Sequence, residues 1–382
     1  MFQKIKNLFR FIRAKRFTYK PLVRVILSKE AFAHNFKVFQ NLEPAKQIAP
    51  VLKSNAYGHG LIGTAKQSDI LHSPFLVVDS YYEALILKNE GITSDILVLG
   101  YTFVENILQF SYEDVVFCIT TIPQLEKLSR KLKKPRRFHI KIDTGMHRQG
   151  IMPEDVSYVV TLIQKNKNII LEGICSHLAD ADTPNSAYTR EQITMWNAIS
   201  IALQTQFPSI RYTHIEATAG TRRGSEIQAN TIRLGLGLYG IDSVEPNTLS
   251  LRPVLSMKSV VVGIKSLTKG DRVGYNGTYT APQAMRIGII PAGYYEGVDR
   301  RLSNKGYMRI KNIDCPIVGR VSMNMTTLDI SSVPNVTEGD EVEIISNVPN
   351  HKNSAVSIAS ACGTIPYETL VGIPEKIRRE WE

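Results

Sequence analysis

Cysteine is scarce in this 382-residue chain: Cys118, Cys175, Cys315 and Cys362 are the only four, and none is close to another in sequence. That spacing excludes a disulfide framework and a zinc knuckle, and it predicts no metal site. It suits a reducing compartment, with each thiol a small buried hydrophobe. No stretch reaches the roughly 18 charge-free apolar residues of a spanning helix. The one candidate for a secretory core is broken by Arg10 and Arg13, so the chain reads as soluble. Solenoid repeats and low-complexity tracts are also missing.

Acid is absent from the first 24 residues, which hold Lys4, Lys6, Arg10, Arg13, Lys15, Arg16, Lys20 and Arg24. Without that head the net charge falls from +11 to +3. A nucleic-acid reading would therefore rest on the head alone. Phe2, Ile5, Phe9 and Ile12 recur at helical spacing between the bases, so the head can be drawn as a basic amphipathic helix able to touch an anionic membrane, or as a solvated terminal arm.

What remains is ordinary globular composition, 43% apolar. It is too long for one small core, since single cores stop growing at about 250–300 residues. Short β-branched runs (Gln47–Val51, Phe75–Val78, Asp95–Leu99, Val115–Cys118, Phe138–Ile142, Ile169–Ile174) alternate with helical spacing over Ser28–Leu42, Ser80–Asn89, Ile122–Leu132, Met152–Lys165 and Thr189–Thr205. About eight such units predict an α/β fold, a closed (β/α)8 TIM barrel. Beyond Val254 the pattern changes to short strands (Ser256–Val262, Met285–Pro291, Met308–Ile310, Glu341–Ile345) with Gly, Pro and Asn between them. This predicts a mainly β C-terminal domain. The expected division is a basic extension over residues 1–20, a barrel over 21–248 and a β domain over 249–382.

Barrel active sites lie at the carboxyl ends of the strands, and Lys53 follows the apolar run Ala49–Leu52. A desolvated lysine there can form an imine or act as a base, although a lone surface lysine is the default. The continuation Lys53-Ser54-Asn55-Ala56-Tyr57-Gly58-His59-Gly60 resembles the lysine signature of the pyridoxal-phosphate-dependent alanine racemases almost residue for residue. The resemblance extends over roughly residues 20–380. It implies a barrel followed by a β domain, a head-to-tail homodimer, and interconversion of L- and D-alanine, which supplies D-alanine for peptidoglycan in the cytoplasm.

By resemblance, Lys53 carries pyridoxal 5'-phosphate as an imine and is one catalytic base, and Tyr57 contacts the phosphate. Val273-Gly274-Tyr275-Asn276-Gly277, otherwise turn-like, matches the second signature, making Tyr275 the second base, contributed by the neighbouring subunit. Racemisation removes a proton from one face and returns one to the other, so two bases are needed. Arg233, before the alternating glycines of Gly235-Leu236-Gly237, resembles the arginine facing the pyridine nitrogen, and Gly235 and Leu236 resemble phosphate-binding amides. His177 resembles the histidine linking that arginine to the tyrosine. Thr218 and Tyr367 match phosphate contacts, and His214 lies near the cofactor.

For substrate, the resemblance gives Arg148 to the carboxylate and the cofactor hydroxyl, Met323 a backbone amide from the partner, and Tyr294 an active-site wall. Lys141 corresponds to a lysine that is often carbamylated. Asp182, Arg300 and Arg320 resemble the polar gate of the access channel. Asn324 stands where an aspartate is usual, and Ala217-Thr218 replaces Asn-Ser. The competing readings are a racemase of serine or of broader range, and a pyridoxal-phosphate-binding regulator without racemase activity. Such a regulator would lack the second half of this chain. An adaptor built on the basic head would need more than eight charges to outweigh the site.

Overall fold

The computed structural model describes residues 19–242, 244 and 248–382. The basic head, apart from Tyr19 and Lys20, lies outside the described residues, as do residues 243 and 245–247 of the expected boundary.

Among the described residues nine strands precede residue 240: β1 (Arg24–Leu27), β2 (Gln47–Pro50), β3 (Leu76–Val78), β4 (Ile96–Val98), β5 (Val115–Ile119), β6 (Arg136–Lys141), β7 (Ile169–Cys175), β8 (Tyr212–His214) and β9 (Thr231–Leu234). Strands β3 to β8 form a parallel sheet in sequence order, and β2 pairs in parallel with β9. Two seams close the ring. Val51 bridges Val77, with Leu52 N donating to Val77 O at 2.7 Å, and Arg233 N donates to Glu216 O at 3.1 Å. Strands β2 to β9 thus make the eight-stranded barrel.

The apolar runs reflect that position. Every residue of β3, β4 and β5 is buried, as expected of parallel strands with helices outside and packed side chains within. The covering helices start where short polar side chains can satisfy their first amides. Ser28 caps Lys29–Leu42, and Ser80 forms a capping box with Glu83 before Tyr81–Asn89. Thr121 caps Ile122–Lys131, which has Pro123 in its first turn. In Lys29–Leu42 the buried Phe32, Phe36 and Phe39 fall on one stripe, the pattern that pins an amphipathic helix to a core.

Two compact units are present. The barrel unit comprises Ile26–Ser256, Ser346–Glu375 and Trp381–Glu382. Helices Ala355–Cys362 and Pro366–Val371 fall in its second segment. The other unit holds the described residues up to Val25, with Met257–Ile345 and Lys376–Glu380. Its strands are β10 (Leu255–Val260), β11 (Gly263–Leu267), β12 (Arg272–Val273), β13 (Tyr279–Thr280), β14 (Met285–Ile290), β15 (Tyr307–Ile310), β16 (Ile313–Pro316), β17 (Thr326–Asp329), β18 (Glu341–Ile345) and β19 (Arg378–Trp381). A six-stranded sheet runs β16-β15-β18-β10-β1-β19, beside sheets of three (β11-β14-β17) and two (β12-β13) strands. Val273, Ala281, Met285, Ile287 and Val318 form a small core beneath the loop that carries Tyr275. Among the described residues no helix is long and apolar enough to cross a membrane.

Candidate active site

The chain leaves β2 in an unusual conformation. Ser54, Asn55, Ala56 and Tyr57 all have positive φ, between 52° and 56°, and Gly58 follows at 82°. A left-handed turn of non-glycine residues costs about 1–2 kcal/mol per residue, so it persists only where its surroundings hold it. Here they do. Asn55 Oδ1 accepts from Leu61 N at 2.9 Å, and Ser54 N donates to Glu83 Oε1 at 2.7 Å. The His59 ring packs 4.3 Å from that of Tyr239. Gly58 is required, since a Cβ there would stand 2.0 Å from Leu370 O. This turn fixes Lys53 and Tyr57 relative to each other, and no sequence pattern announced it.

Both residues line a cavity of about 520 Å³ at the carboxyl ends of the strands, where barrel enzymes keep their chemistry. Lys141, which ends β6, and Arg148, in the loop after it, line the same space, as does Arg233 on β9. Four cations thus face one cavity whose lining also includes Asp79 and Asp182, an arrangement suited to an anionic ligand. Asp143, a possible ion-pair partner for a base, accepts instead from the amides of Gly145 (2.9 Å) and His147 (3.0 Å), shaping the loop that carries Arg148.

Tyr57 lies over Gly235, where an added Cβ would come within 2.7 Å of Tyr57 Oη. Gly235 therefore keeps open a niche between a phenol and the start of the turn Leu236–Tyr239, whose first amides have no partner within it. Burial, followed by Tyr367, pushes the Tyr57 phenol well above its usual pKa, so it is a neutral hydrogen-bond donor. Thr218 Oγ1 accepts from Gly237 N at 2.9 Å and lines the cavity with Gly235, Leu236 and Tyr367.

Arg233 is only 5% exposed, and the hydrogen bonds of its two terminal nitrogens fix the plane of the guanidinium. Nη1 donates to His214 O (2.6 Å) and Nδ1 (2.7 Å), while Nη2 donates to Ser176 O (2.7 Å) and His177 Nδ1 (3.2 Å). Burial and then Arg233 itself push both His177 and His214 well below the usual imidazole range, so both rings are neutral. His177 lines the cavity; His214 lies behind Arg233 and does not. Burial also lowers Lys141, which stands near Arg233, Arg148 and the thiols of Cys175 and Cys118. Those thiols are 3.6 Å apart, and all four cysteines are free and buried.

The remaining candidates lie in the other unit. Tyr275 is 70% exposed, Met323 55% and Tyr294 44%. Arg300 is exposed and Arg320 half-buried. Within that unit they belong to adjoining loops. Tyr294 N donates to Ser322 O and Tyr295 N to Met323 O, and a Cβ on Gly274 would approach Arg320 N at 3.3 Å. Asn324 Nδ2 donates to Glu296 Oε1 at 2.9 Å, a bond that an ionised aspartate could not make. The departure at this position is matched by its neighbour.

Two family profiles cover the chain: "Alanine racemase, N-terminal domain" matches residues 27–243 and "Alanine racemase, C-terminal domain" residues 254–381. The chain belongs to the alanine racemase family. It is 32% identical to the alanine racemase of Methanococcus maripaludis over 357 residues, covering 91% of this chain and 95% of the relative. It is 34% identical to that of Syntrophobacter fumaroxidans over 349 residues, 90% and 93% of the two chains. Among solved structures, the alanine racemase of Clostridium difficile 630 superposes with a TM-score of 0.87 at 28% identity, covering 96% and 97%. That of E. faecalis superposes at 0.86 and 28%, covering 94% and 98%. As an alanine racemase the chain is an isomerase of amino acids, with the barrel and β domain expected from its sequence.

Sequence reasoning missed His139 and Glu172. Both are buried beneath Arg233 in the barrel interior. The available signal was a histidine two residues before Lys141 on a barrel strand, where alternate residues point inward.

Proposed function

We propose that this alanine racemase works as a homodimer with pyridoxal 5'-phosphate on Lys53, and that each active site is completed by Tyr275 of the partner subunit. The observation that carries the reading is the exposure of the second base: Lys53 lines a cation-rich cavity of the barrel unit, while Tyr275 of the β unit is 70% exposed. An exposed aromatic and methionine patch of this kind favours burial against another surface.

The fit of the cofactor rests on the cavity itself. The niche over Gly235, with Tyr57 Oη, Thr218 Oγ1 and the amides of Gly235 and Leu236, suits a phosphate, and Tyr367 adds a further donor. Arg233, always protonated and held flat, suits a pyridine nitrogen as a donor and so keeps that nitrogen unprotonated. Bound there, the cofactor would withdraw electrons from the substrate's α-carbon, weakly enough to limit side reactions.

The chain's own groups do the rest. Lys53 Nζ takes or returns the α-proton on one face, and Tyr275 Oη of the partner subunit does so on the other. His177, whose bare Nδ1 faces Arg233, carries its proton on Nε2 at the cavity side, where it would hydrogen-bond that phenol. Arg148 binds the substrate carboxylate and the cofactor hydroxyl, joined by the Met323 amide of the partner subunit. The Tyr294 ring of the partner subunit would form a wall, and Tyr367 narrows the pocket toward a side chain as small as methyl. Burial lowers Lys141, which favours the neutral amine that adds carbon dioxide; the ammonium loses one proton before the addition and the nitrogen a second after it, and the resulting carbamate is an anion able to hold Arg148. Asp182 with Arg300 and Arg320 of the partner subunit would gate the access channel. Product D-alanine would supply cell-wall peptidoglycan from the cytoplasm.

A mixed-dimer experiment tests the shared site. Lys53→Ala and Tyr275→Phe chains, each inactive alone, should recover part of the activity when mixed, because one site of the heterodimer keeps both bases. No recovery, with mixed dimers present by mass, would exclude a site built from two subunits.

A further inference from the structure

Arg233 is the near end of a line of buried polar groups that crosses the barrel interior. Its Nη1 donates to His214 Nδ1 at 2.7 Å; His214 Nε2 is 2.7 Å from His139 Nδ1. His139 Nε2 lies 3.9 Å from Glu172 Oε2, and Glu172 Oε1 accepts from Arg137 Nη1 at 3.0 Å. Arg211 Nη1 adds a second cation 3.8 Å from Glu172 Oε1. Both imidazoles are at most 1% exposed. Phe75 sits against both rings, with centroids 5.5 and 5.7 Å away.

The two ends impose one polarity on the line. A guanidinium only donates, so His214 Nδ1 must be bare, and a neutral ring then carries its proton on Nε2. That proton goes to His139 Nδ1, which must be bare in turn, leaving the His139 proton on Nε2. Glu172, an acceptor once ionised, is the charge that favours a proton on that nitrogen. Its carboxylate is beyond hydrogen-bond distance but within electrostatic reach. Backbone chemistry has made room for the arrangement: a Cβ on Gly173 would stand 2.6 Å from His139 Cε1. Glu172 and Gly173 are adjacent, so one strand position supplies the charge and the next supplies the space.

We propose that His139 and Glu172 are positioning residues for Arg233. Glu172 selects the tautomer of His139, His139 selects that of His214, and the bare Nδ1 of His214 then holds Arg233 flat and oriented toward the cavity. The consequence for turnover rests on the reading above, in which Arg233 faces the cofactor; the proton arrangement itself does not.

Long-range nitrogen–proton NMR of apoprotein with isotope-labelled histidine reads the tautomers directly, and it needs neither cofactor nor substrate. His214 and His139 should both carry the proton on Nε2. Finding it on Nδ1 of His214 in the wild type would overturn the proposal, whatever the activity. In His139→Leu the His214 signal should become mixed or switch to the other tautomer, whereas His139→Asn, whose amide oxygen can replace Nδ1, should retain it. Glu172→Gln should shift the His139 tautomer population, and it serves as the test if His139→Leu does not fold. In the loaded enzyme, kcat of His139→Leu should drop roughly ten- to a hundredfold, the usual effect of removing a group that orients another. KM should stay within about twofold, and Asn should restore most of kcat. Equal losses in Leu and Asn, with the His214 tautomer unchanged in both, would reduce the line to packing. If instead the wild type itself fails to racemise alanine while the tautomers are as stated, the functional reading fails and the positioning line stands.

Discussion

The barrel cavity and the loops around Tyr275 hold the candidate groups in opposite physical states. The groups around Arg233 are buried and over-determined: Arg233 makes four hydrogen bonds to neighbouring groups, and a strained left-handed turn follows Lys53. The Tyr275 loops are open, with Tyr275, Met323 and Tyr294 among the exposed large side chains of the β unit. A buried, paired charge keeps its geometry without help, whereas an exposed tyrosine has neither a fixed position nor a desolvated environment. On the proposed dimeric reading, one half of the site is preformed in each chain and a neighbour completes the other half.

Removing the preformed base should have the largest effect. Lys53→Ala should lower racemisation by roughly four orders of magnitude or more, since it removes a base and the anchor for the cofactor. Circular dichroism of L-alanine measures this, and a variant with near-normal rates would break the comparison at its firm end. Tyr275→Phe should cost about a hundred- to ten-thousandfold but leave one base working. Solvent deuterium exchange into the α-position should then survive for one enantiomer only, and equal exchange into both would remove Tyr275 from the chemistry.

The open half can be challenged through its surface. Tyr295→Glu, which puts a charge into an exposed aromatic patch, should weaken dimerisation by at least about tenfold if a partner covers it. Sedimentation velocity at several concentrations reads the change, and an unaltered dimer would place the interface elsewhere. A smaller effect is expected at Gly235→Ala, where the new methyl would press on Tyr57 Oη. Overpacking of this kind costs about 1–3 kcal/mol. Cofactor titration should show weaker binding, and the thermal midpoint should fall by a few degrees.

The gentlest test is pH. His139, His177 and His214 are all lowered, chiefly by burial. Unfolded chains therefore bind more protons than folded ones once pH drops below the ordinary imidazole value of about 6.5, and stability present above that pH is lost below it. Glu216, raised by burial to about 7, works the other way, since the folded state binds its proton first as pH falls. Three rings against one carboxyl should leave the thermal midpoint falling between pH 7 and 5. A midpoint that rises over this range would mean that the rings are already charged in the folded state.

Much of this was legible in the chain. Lys53 through Gly60, Arg233 with its glycines, and the alternation of Val/Ile/Leu runs with capped helices are local patterns, and local patterns survive being read without a structure. Strands β8 and β9 were harder, because His214, Thr231 and Arg233 are polar residues buried by pairing rather than by their own hydrophobicity. The left-handed turn at Ser54–Tyr57 was invisible, since of those residues only Asn55 tolerates positive φ readily and part of what holds them, such as the bond from Ser54 N to Glu83, comes from distant sequence. His139 and Glu172 were missed for a related reason: they lie 33 residues apart on neighbouring strands, and each alone looks like an ordinary charged residue.

The sequence by itself determined the family, the order of strands and helices, and which side chains carry charge, because these depend on residue identity and near-neighbour spacing. Only the tertiary structure decided which charges share a cavity, which histidine nitrogens are bare, and why Gly58, Gly173 and Gly235 admit no side chain. Those facts depend on what distant segments bring within a few ångströms, and burial there gives each contact its strength.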